Sequence, residues 1–478
     1  MTVEVEPTLR ERLLSGVEPS PGLAASIRGW LRPISLAGVS VFLLALALRL
    51  ALIGYVNPDP RDGRFDDSVW YDFSARSIAA GKGYVWDPTI WKLADGSPAY
   101  PNDTEVGPSA LWPPGYPAFL AAIYKVTGGS LLAGKVANAA LGAATALLAF
   151  LIARRLFGDV AGAVAGVLVA FLPSHALFTA LTMSEVFFTF LLALTAYLTL
   201  QWVFGEAGPR RWQLAALGFL TGVAALTRGE LAAFPLVLFL LFLARSRSWR
   251  TALGWTALAV VGMSIAFAPW VLRNRIQMDA WIPGTTGVGR VMLQGHNPET
   301  DGGPSLNVVV QFESQFADLP LPRREVEANR EAQRQALEWA LDHPLEEFKL
   351  TFSRLALLYR SDKAGVEWIQ SNKPWFGREG ADRLVAFSNA YYYALVGLAV
   401  VGAPAWWVLR RGSAMLVALL PIAYYTLLFG VVFIGNDRYH VPILPFVAVL
   451  AAAPVSLVLT RAVEEWRALR AAAVPAEV

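Results

Sequence analysis

Two adjacent carboxylates, Asp66 and Asp67, stand close after a strongly apolar run, in the stretch FDDSVWYDFSARSIAAGKGY. Adjacent like charges repel each other, so solvent or a cation must compensate for them. A carboxylate at such a place can act as a general base that takes the proton of an attacking hydroxyl group. Aspartate also caps the first turn of helices well, so capping alone is the alternative explanation.

Helical spacing divides the residues around this pair into two faces. Asp67 and Tyr71 lie four residues apart and share one face of a helix, whereas Asp72 and Arg76 can form an ion pair on another. The ion pair gives Asp72 a purely structural explanation. Asp66 and Asp67 lack such an explanation, so the pair is the first candidate for chemistry.

The composition predicts the kind of protein that must position these residues. The chain of 478 residues is 55% hydrophobic and only 16% charged, and its mean hydropathy is positive. These values lie outside the usual range for soluble domains and predict an all-α polytopic membrane protein. The net charge of +3 comes mostly from arginines near the ends of apolar runs, which argues against a nucleic-acid partner. The absence of cysteine excludes disulfides, thiolate metal sites and a cysteine nucleophile.

Ten apolar runs qualify as membrane-spanning helices, although some are short for the ~20 residues that cross the hydrocarbon core. They are Ile34–Val56, Leu131–Ala153, Val160–Leu177, Met183–Phe204, Trp212–Leu226, Leu231–Ala244, Thr251–Leu272, Leu384–Leu409, Ala414–Ile434 and Val441–Leu459. With ten spans, the arginine-rich loops and the amino-terminal tail share one side, which the positive-inside rule identifies as cytoplasmic. If the apolar segment Tyr116–Val126 also crossed the membrane, every later loop would change sides and the later arginine pairs would lie outside. We therefore expect this segment to lie on the outer interface.

The predicted topology divides the chain into five regions. They are a cytoplasmic tail (1–33), a transmembrane module (34–272) that includes a first outer loop (57–130), an extracytoplasmic loop domain (273–383), carboxy-terminal transmembrane helices (384–460) and a second cytoplasmic tail (461–478). In the loop domain, a helical pattern from Arg324 to Arg360 is interrupted at His343–Pro344, where proline breaks a helix. Abundant alanine and the excess of arginine over lysine suggest a bacterium, so we expect the inner membrane.

Other ionisable residues fall near the outer ends of the spans. The basic ones are Arg228, Arg273, Arg275 and Arg438. All four can bind an anionic phosphate. Alternatively, Arg273 and Arg275 anchor a span at the interface, Arg438 snorkels or pairs locally beside Asp437, and Arg228 and Glu230 neutralise each other. Glu185 also lies near an outer end, where an ionisable group is costly and often functional, although solvation would explain it too. His296 lies in a glycine-rich outer loop, either at a substrate or metal site or simply in solvent.

The order of short motifs along nearly the whole chain resembles the GT-C superfamily of integral-membrane glycosyltransferases. The resemblance is greatest to its glycosyltransferase family 39 branch, which includes protein O-mannosyltransferases and lipid A aminoarabinose transferases. The motifs are the acidic pair with Tyr71 and Ala75-Arg76, GKGY (Gly81–Tyr84), WPPGYPAFLAAIY (Trp112–Tyr124), RRLFG (Arg154–Gly158), MSE (Met183–Glu185), LTRGE (Leu226–Glu230), APWVLRN (Ala268–Asn274), GHNP (Gly295–Pro298) and DRYHVPILP (Asp437–Pro445).

The resemblance implies a GT-C fold in which outer loops roof an active site on the extracytoplasmic side. It implies an inverting transfer of a monosaccharide from a polyprenyl-phosphate donor to a hydroxyl group of a glycan, lipid or protein. Asp67 corresponds to the catalytic aspartate of the family, with Asp66 second. The implied ligands of the donor phosphate are Arg438, Arg273, Arg275 and Arg228, and the implied substrate contacts are Tyr71, Glu185, Tyr439 and His296.

One difference from the aminoarabinose branch concerns metal and phosphate binding. That branch has a Glu-Lys pair before two prolines, where this chain has Leu111 and Trp112. The difference argues against the aminoarabinose reaction. A divalent metal stays open, with Glu105 and His296 as candidate ligands, but no two histidines have a spacing such as His-x3-His.

Two other classes of protein share the polytopic architecture. A transporter or flippase of lipid-linked sugars would have ionisable or helix-breaking residues at mid-depth and inverted repeats, and neither is evident in the sequence. An O-antigen ligase or polymerase would use a diphosphate-linked oligosaccharide. The chemical identity of the donor therefore distinguishes these classes.

Overall fold

The computed structural model describes residues 35–62, 67–90, 97, 105–404 and 412–472, and its regular structure is almost entirely helical. The helices up to the loop domain are α1 (Leu36–Tyr55), α2 (Asp67–Ala79), α3 (Gly115–Thr127), α4 (Leu131–Phe157), α5 (Asp159–Ala170), α6 (Pro173–Thr179), α7 (Glu185–Trp202), α8 (Arg211–Thr227), α9 (Pro235–Ser246) and α10 (Trp249–Gln277). The later helices are α11 (Val288–Gly295), α12 (Leu306–Glu313), α13 (Leu321–Asp342), α14 (Pro344–Tyr359), α15 (Ala364–Asn372), α16 (Gly377–Gly402), α17 (Leu416–Leu427) and α18 (Leu444–Ala472). Two short strands, β1 (Val85–Trp86) and β2 (Gly107–Pro108), pair antiparallel in the first outer loop.

Among the described residues, seven helical segments are long and apolar enough to cross a membrane. They are α1, α4, α7, α10, α16, Gly412–Val432 and Asp437–Trp466. An eighth span results if α5 and α6 count as one, although they are bent by 54° where Pro173 starts a new helix. The remaining two predicted runs form α8, of 17 residues, and α9, of 12. The predicted ten thus correspond to seven long helices, one bent pair and two short helices.

The structure bears on two predictions outside the spans. The apolar segment at Tyr116–Val126 forms α3, whose 13 residues are short for a span, and its place on the outer interface stays a prediction. The helical pattern of the loop domain forms α13 and α14, which meet at His343–Pro344. Proline at the first position of α14 needs no backbone N–H donor there, which is why the new helix begins at this residue.

Helices α8 and α10 cross closely at two glycines. A Cβ atom on Gly218 would lie 1.7 Å from the carbonyl oxygen of Ala259, and one on Gly262 would lie 1.8 Å from that of Ala215. Only glycine permits backbones to approach this closely, and small residues commonly serve this purpose between membrane helices. The crossing packs α8 against α10, and Arg228 follows directly at the end of α8.

The first outer loop is fastened to the loop domain by Glu325 of α13. Its carboxylate accepts hydrogen bonds from the backbone N–H of Ala110, at 2.7 Å, and from the Thr286 hydroxyl. Removal from solvent raises the pKa of Glu325, although its hydrogen bonds oppose that shift. The contact holds the strand-bearing loop against the loop domain.

We expect Glu325→Ala to lower the free energy of unfolding by about 1–3 kcal/mol, because it leaves two donors without their acceptor. Thermal unfolding of the protein in lipid nanodiscs measures the change. The matched control is Glu327→Ala on the same helix, where the side chain is 42% exposed and lies 3.7 Å from Arg330. An equal and small effect of both substitutions would contradict the role given to Glu325.

Candidate functional site

Helix α2 begins at Asp67, and one of its faces lines a cavity whereas another packs against the protein. The Asp67 carboxylate and the Tyr71 ring line a cavity of about 330 Å3 between the membrane helices and the outer loops. On another face, Arg76 Nε donates to Asp72 at 2.8 Å, as the spacing predicts, and the Tyr124 hydroxyl donates to the other oxygen of Asp72 at 2.7 Å. Asp72 is therefore a structural residue, and Asp67 is the carboxylate of α2 that faces the cavity.

Arg438 lies opposite Asp67, in the 3-10 helix Asp437–Ile443 that leads into α18. Its Nη1 atom donates to Asp67 Oδ2 at 2.7 Å, and its Nε atom donates to Glu185. The guanidinium carbon lies 4.7 Å from the centre of the Trp368 ring, so the indole of α15 covers one face of the cation. Arg438 is thus held from three sides at the cavity wall.

Glu185 is the first residue of α7 and connects two arginines. Its carboxylate is fully buried and does not line the cavity. Glu185 Oε1 accepts a hydrogen bond from Arg228 Nη1 at 2.7 Å and another from Arg438. A buried charge is tolerated only when it is paired in this way. Glu185, which the sequence assigns to substrate contact, therefore lies behind the cavity wall and positions the two guanidinium groups.

Arg228 forms the second cation of the wall. Its Nε and Nη2 atoms donate to Glu230 Oε1 at 2.9 and 2.8 Å, and its guanidinium lies 5.6 Å from the Tyr439 ring centre. Arg228, Glu230 and Tyr439 all line the cavity. Three carboxylates and two arginines thus form one network, which we call the acidic–basic network. Its members are Asp67, Glu185, Glu230, Arg228 and Arg438.

The roof of the cavity contains a third arginine, which the sequence analysis did not single out. Arg290 of α11 lines the cavity, donates to Glu313 at 2.8 Å and lies 5.8 Å from the Trp112 ring centre. Burial raises the pKa of Glu313 even though Arg290 and Arg324 oppose that shift. The signal that could have found Arg290 is its position in the short amphipathic segment VGRVMLQG, directly after the glycine-rich turn of the loop domain.

Besides Glu185, three predicted phosphate ligands or substrate contacts lie away from the cavity lining. Arg273 donates to the carbonyl oxygens of Ser109, at 2.7 Å, and Tyr84, so it fastens the first outer loop to α10. Arg275 pairs with Asp279 at the exposed end of the same helix. His296 is buried; its Nδ1 atom lies 2.7 Å from Glu347, and its Nε2 atom 3.0 Å from the carbonyl oxygen of Val432.

The metal candidates do not converge. Glu105 is exposed and does not line the cavity, and His296 is held as described above. Within the described ranges, no three or more histidine and carboxylate side chains lie where they could hold a metal ion together. Asp66 lies outside the described residues, so its role stays a prediction.

Sequence comparison relates part of the chain to known enzymes. Residues 112–272 match the family described as dolichyl-phosphate-mannose-protein mannosyltransferase. A segment is 34% identical over 167 residues to the undecaprenyl phosphate-alpha-4-amino-4-deoxy-L-arabinose arabinosyl transferase of Pseudomonas aeruginosa (strain UCBPP-PA14), covering 33% of this chain and 29% of that one. The same figures hold for the transferase of this name in Pseudomonas paraeruginosa (strain DSM 24068 / PA7). The chain thus spans less than a third of the length of the curated relatives it matches.

Structural comparison extends over most of the chain. One similar structure is the archaeal oligosaccharyltransferase AglB from Archaeoglobus fulgidus in complex with an inhibitory peptide and a dolichol-phosphate. The superposition covers 94% of this chain and 53% of the AglB chain, with a TM-score of 0.51 and 14% sequence identity. The same enzyme tethered to an acceptor peptide matches 92% of this chain and 51% of its own, with a TM-score of 0.50 and 16% identity. This likeness confirms the GT-C fold that the motif order implies.

Proposed function

We propose that this GT-C membrane protein is an inverting glycosyltransferase, which moves a monosaccharide from a polyprenyl-phosphate donor to an acceptor hydroxyl group, with Asp67 as the general base. The observation that carries the proposal is the contact between Asp67 and Arg438 on the cavity wall, at 2.7 Å. It joins a candidate proton acceptor to a candidate phosphate ligand in one cavity. The names of the relatives, which include undecaprenyl phosphate, support a lipid-linked donor.

The arginines supply the chemistry that a phosphate needs. Arg228 and Arg438 both line the cavity, and guanidinium groups bind phosphate oxygens through paired, charge-assisted hydrogen bonds. As the bond from the sugar to the phosphate breaks, negative charge grows on the leaving oxygen, and fixed cations stabilise that charge. Glu185 holds the two guanidinium groups side by side, so it acts as a positioning residue for this pair.

The charges of the acidic–basic network indicate which group must move when the donor binds. Its three carboxylates outnumber its two arginines, so an added phosphate requires one carboxylate to give up its arginine. The Asp67 side chain is 27% exposed, whereas those of Glu185 and Glu230 are 0% and 11% exposed. Asp67 is therefore the carboxylate that the donor phosphate displaces from Arg438.

Displacement prepares Asp67 for the reaction. The freed carboxylate accepts the proton of the acceptor hydroxyl while that oxygen forms a bond to the anomeric carbon of the sugar. The bond between the anomeric carbon and the phosphate oxygen breaks on the opposite face, which inverts the configuration. The phosphate leaves with the bonding electrons and stays on the polyprenyl chain, and Arg228 and Arg438 balance its charge.

The distribution of arginines supports an extracytoplasmic site. Arg154 and Arg155 end α4 and Arg245 lies in the last turn of α9, at the helix ends away from the cavity. The positive-inside rule assigns such ends to the cytoplasm. Arg228 lies shortly before the opposite end of α9 and shares the cavity with Asp67 and Arg438, which supports a cavity that faces the outer side.

Transfer from defined donors tests the proposal. The purified protein in lipid vesicles is given synthetic polyprenyl-phosphate monosaccharides with radiolabelled sugars, among them a hexose, a pentose and an aminopentose. A labelled diphosphate-linked oligosaccharide is offered in parallel, and a membrane extract serves as acceptor. We expect one donor to transfer its label with inverted anomeric configuration. Movement of intact donor across the vesicle membrane without transfer would favour a flippase, and use of only diphosphate-linked oligosaccharide would favour a ligase; either result would reject the proposal.

A further inference from the structure

Helix α14 presents an apolar stripe that no described part of the chain covers. Leu345, Phe348 and Phe352 are 72%, 65% and 60% exposed, and Ala356 continues the same line at helical spacing. The rings of Phe348 and Phe352 meet edge to face, 5.2 Å apart. Four exposed apolar positions along one line are unusual for a helix whose outer face meets water.

The inner face of α14 carries its buried charges. Arg354 is fully buried and donates to Glu347 at 2.9 Å, and Glu347 in turn lies 2.7 Å from His296. The helix therefore directs its Arg354–Glu347 ion pair and Leu358 toward the protein, whereas Phe348 and Phe352 point outward. A helix whose outer face met only water would carry polar side chains at the positions of Phe348, Phe352 and Ala356.

Contacts with a membrane-spanning segment show the depth of α14. The side chain of Leu355 packs beside Gly430, and the Tyr359 hydroxyl shares a hydrogen bond of 2.6 Å with Thr426. Both partners belong to the spanning segment Gly412–Val432. Thr426 precedes the end of that segment by about 9 Å at a rise of 1.5 Å per residue. The carboxy-terminal half of α14 thus descends beside the outer part of a spanning helix.

We infer that the carboxy-terminal half of α14 is embedded in the outer leaflet of the membrane, with Phe348, Phe352 and Ala356 against lipid acyl chains. The stripe continues the lipid-facing surface of the spanning segment, where Leu427 and Val431 are also exposed. Amphipathic helices that lie in the interface bury their apolar face in this way.

The embedded helix leads directly to the cavity. Just beyond its end, Ser361 donates to Asp437 at 2.7 Å, and Asp437 precedes Arg438 in the chain. Anchoring α14 in the leaflet therefore fixes the backbone that carries Arg438. The loop domain is then held by lipid as well as by protein contacts.

Collision rates of a spin label test the inference, and the absence of cysteine from the chain makes single labels straightforward. Phe348→Cys, Phe352→Cys and Ala356→Cys are labelled with a nitroxide in vesicles of phosphatidylethanolamine and phosphatidylglycerol. The matched control is Glu346→Cys on the exposed side of the same helix. We expect collisions with oxygen to exceed those with a water-soluble nickel chelate at 352 and 356, and the reverse at 346, with the ratio rising from 348 to 356.

Two outcomes would overturn the inference. Frequent collisions with the nickel chelate at 352 and 356 would place the stripe in water. An immobilised label that neither oxygen nor the chelate reaches would mean that a second copy or another protein covers the stripe. Each labelled variant is first checked by thermal unfolding against the unlabelled protein. If one variant unfolds at a lower temperature, Leu345→Cys replaces it as a label position on the stripe. None of these readings depends on the proposed sugar transfer.

Discussion

Asp67→Asn is expected to lower the rate of sugar transfer by about 10²–10⁴-fold, the usual contribution of a general base. Asparagine keeps the size of the side chain and can still contact Arg438, but it cannot take the proton of the acceptor. Because the neutral amide competes less well than a carboxylate for Arg438, we expect the donor to bind as tightly as before or more tightly. Single-turnover rates and donor titrations measure the two effects separately.

The control for this substitution is Asp59→Asn in the same outer loop. Asp59 pairs with Arg61, whose side chain is 60% exposed, and it does not line the cavity. The transfer rate of the Asp59→Asn variant should equal that of the wild type. Asp66→Asn completes the comparison and tests whether the neighbouring carboxylate contributes. Full transfer by a folded Asp67→Asn protein would remove Asp67 from the mechanism.

Arg438→Gln is expected to reduce both stability and transfer. The substitution leaves Glu185 buried with only Arg228 as a cation, and breaking a buried ion pair from one side costs about 3–5 kcal/mol. It also removes a cation from the leaving phosphate, which should slow transfer by about 10²–10³-fold. Melting in nanodiscs and transfer rates under saturating donor measure the two losses.

A double variant separates the two losses. Arg438→Gln with Glu185→Gln removes both members of the buried pair, so we expect most of the stability to return while transfer stays low. Arg383→Gln, at a side chain that is 78% exposed on α16, is the control for loss of a positive charge. Recovery of transfer by the double variant would show that Arg438 serves folding alone.

Much of the fold follows from local sequence pattern. Apolar runs gave rise to helices at all ten predicted places, and His343–Pro344 divides α13 from α14. Hydropathy does not reveal the bend between α5 and α6, because Phe171 and Leu172 keep the run apolar through the break. The short length of α9 does not show in the hydropathy either, because the 3-10 helix Gly229–Ala233 precedes it within the same apolar stretch.

The site follows from sequence only in part, because a position near a helix end does not reveal where the side chain points. Arg273 and Arg275 have the same signal at the end of α10, yet one binds backbone carbonyls and the other pairs with Asp279 in solvent. The role of Glu185 depends on contact with Arg438, 253 residues away in the chain. Such a pairing is a property of the packed helices and has no local pattern.

The contact of Arg438 with Asp67 also bears on product release. After transfer the lipid carries a phosphate monoester, whose charge near −2 at neutral pH holds a guanidinium group more firmly than the donor does. Asp67 belongs to the same chain, so its effective concentration beside Arg438 stays high, whereas the spent lipid can diffuse away within the leaflet. In the proposed cycle, the carboxylate that starts each turnover thus also competes with the product for its arginine, and its return to Arg438 resets the enzyme for the next donor.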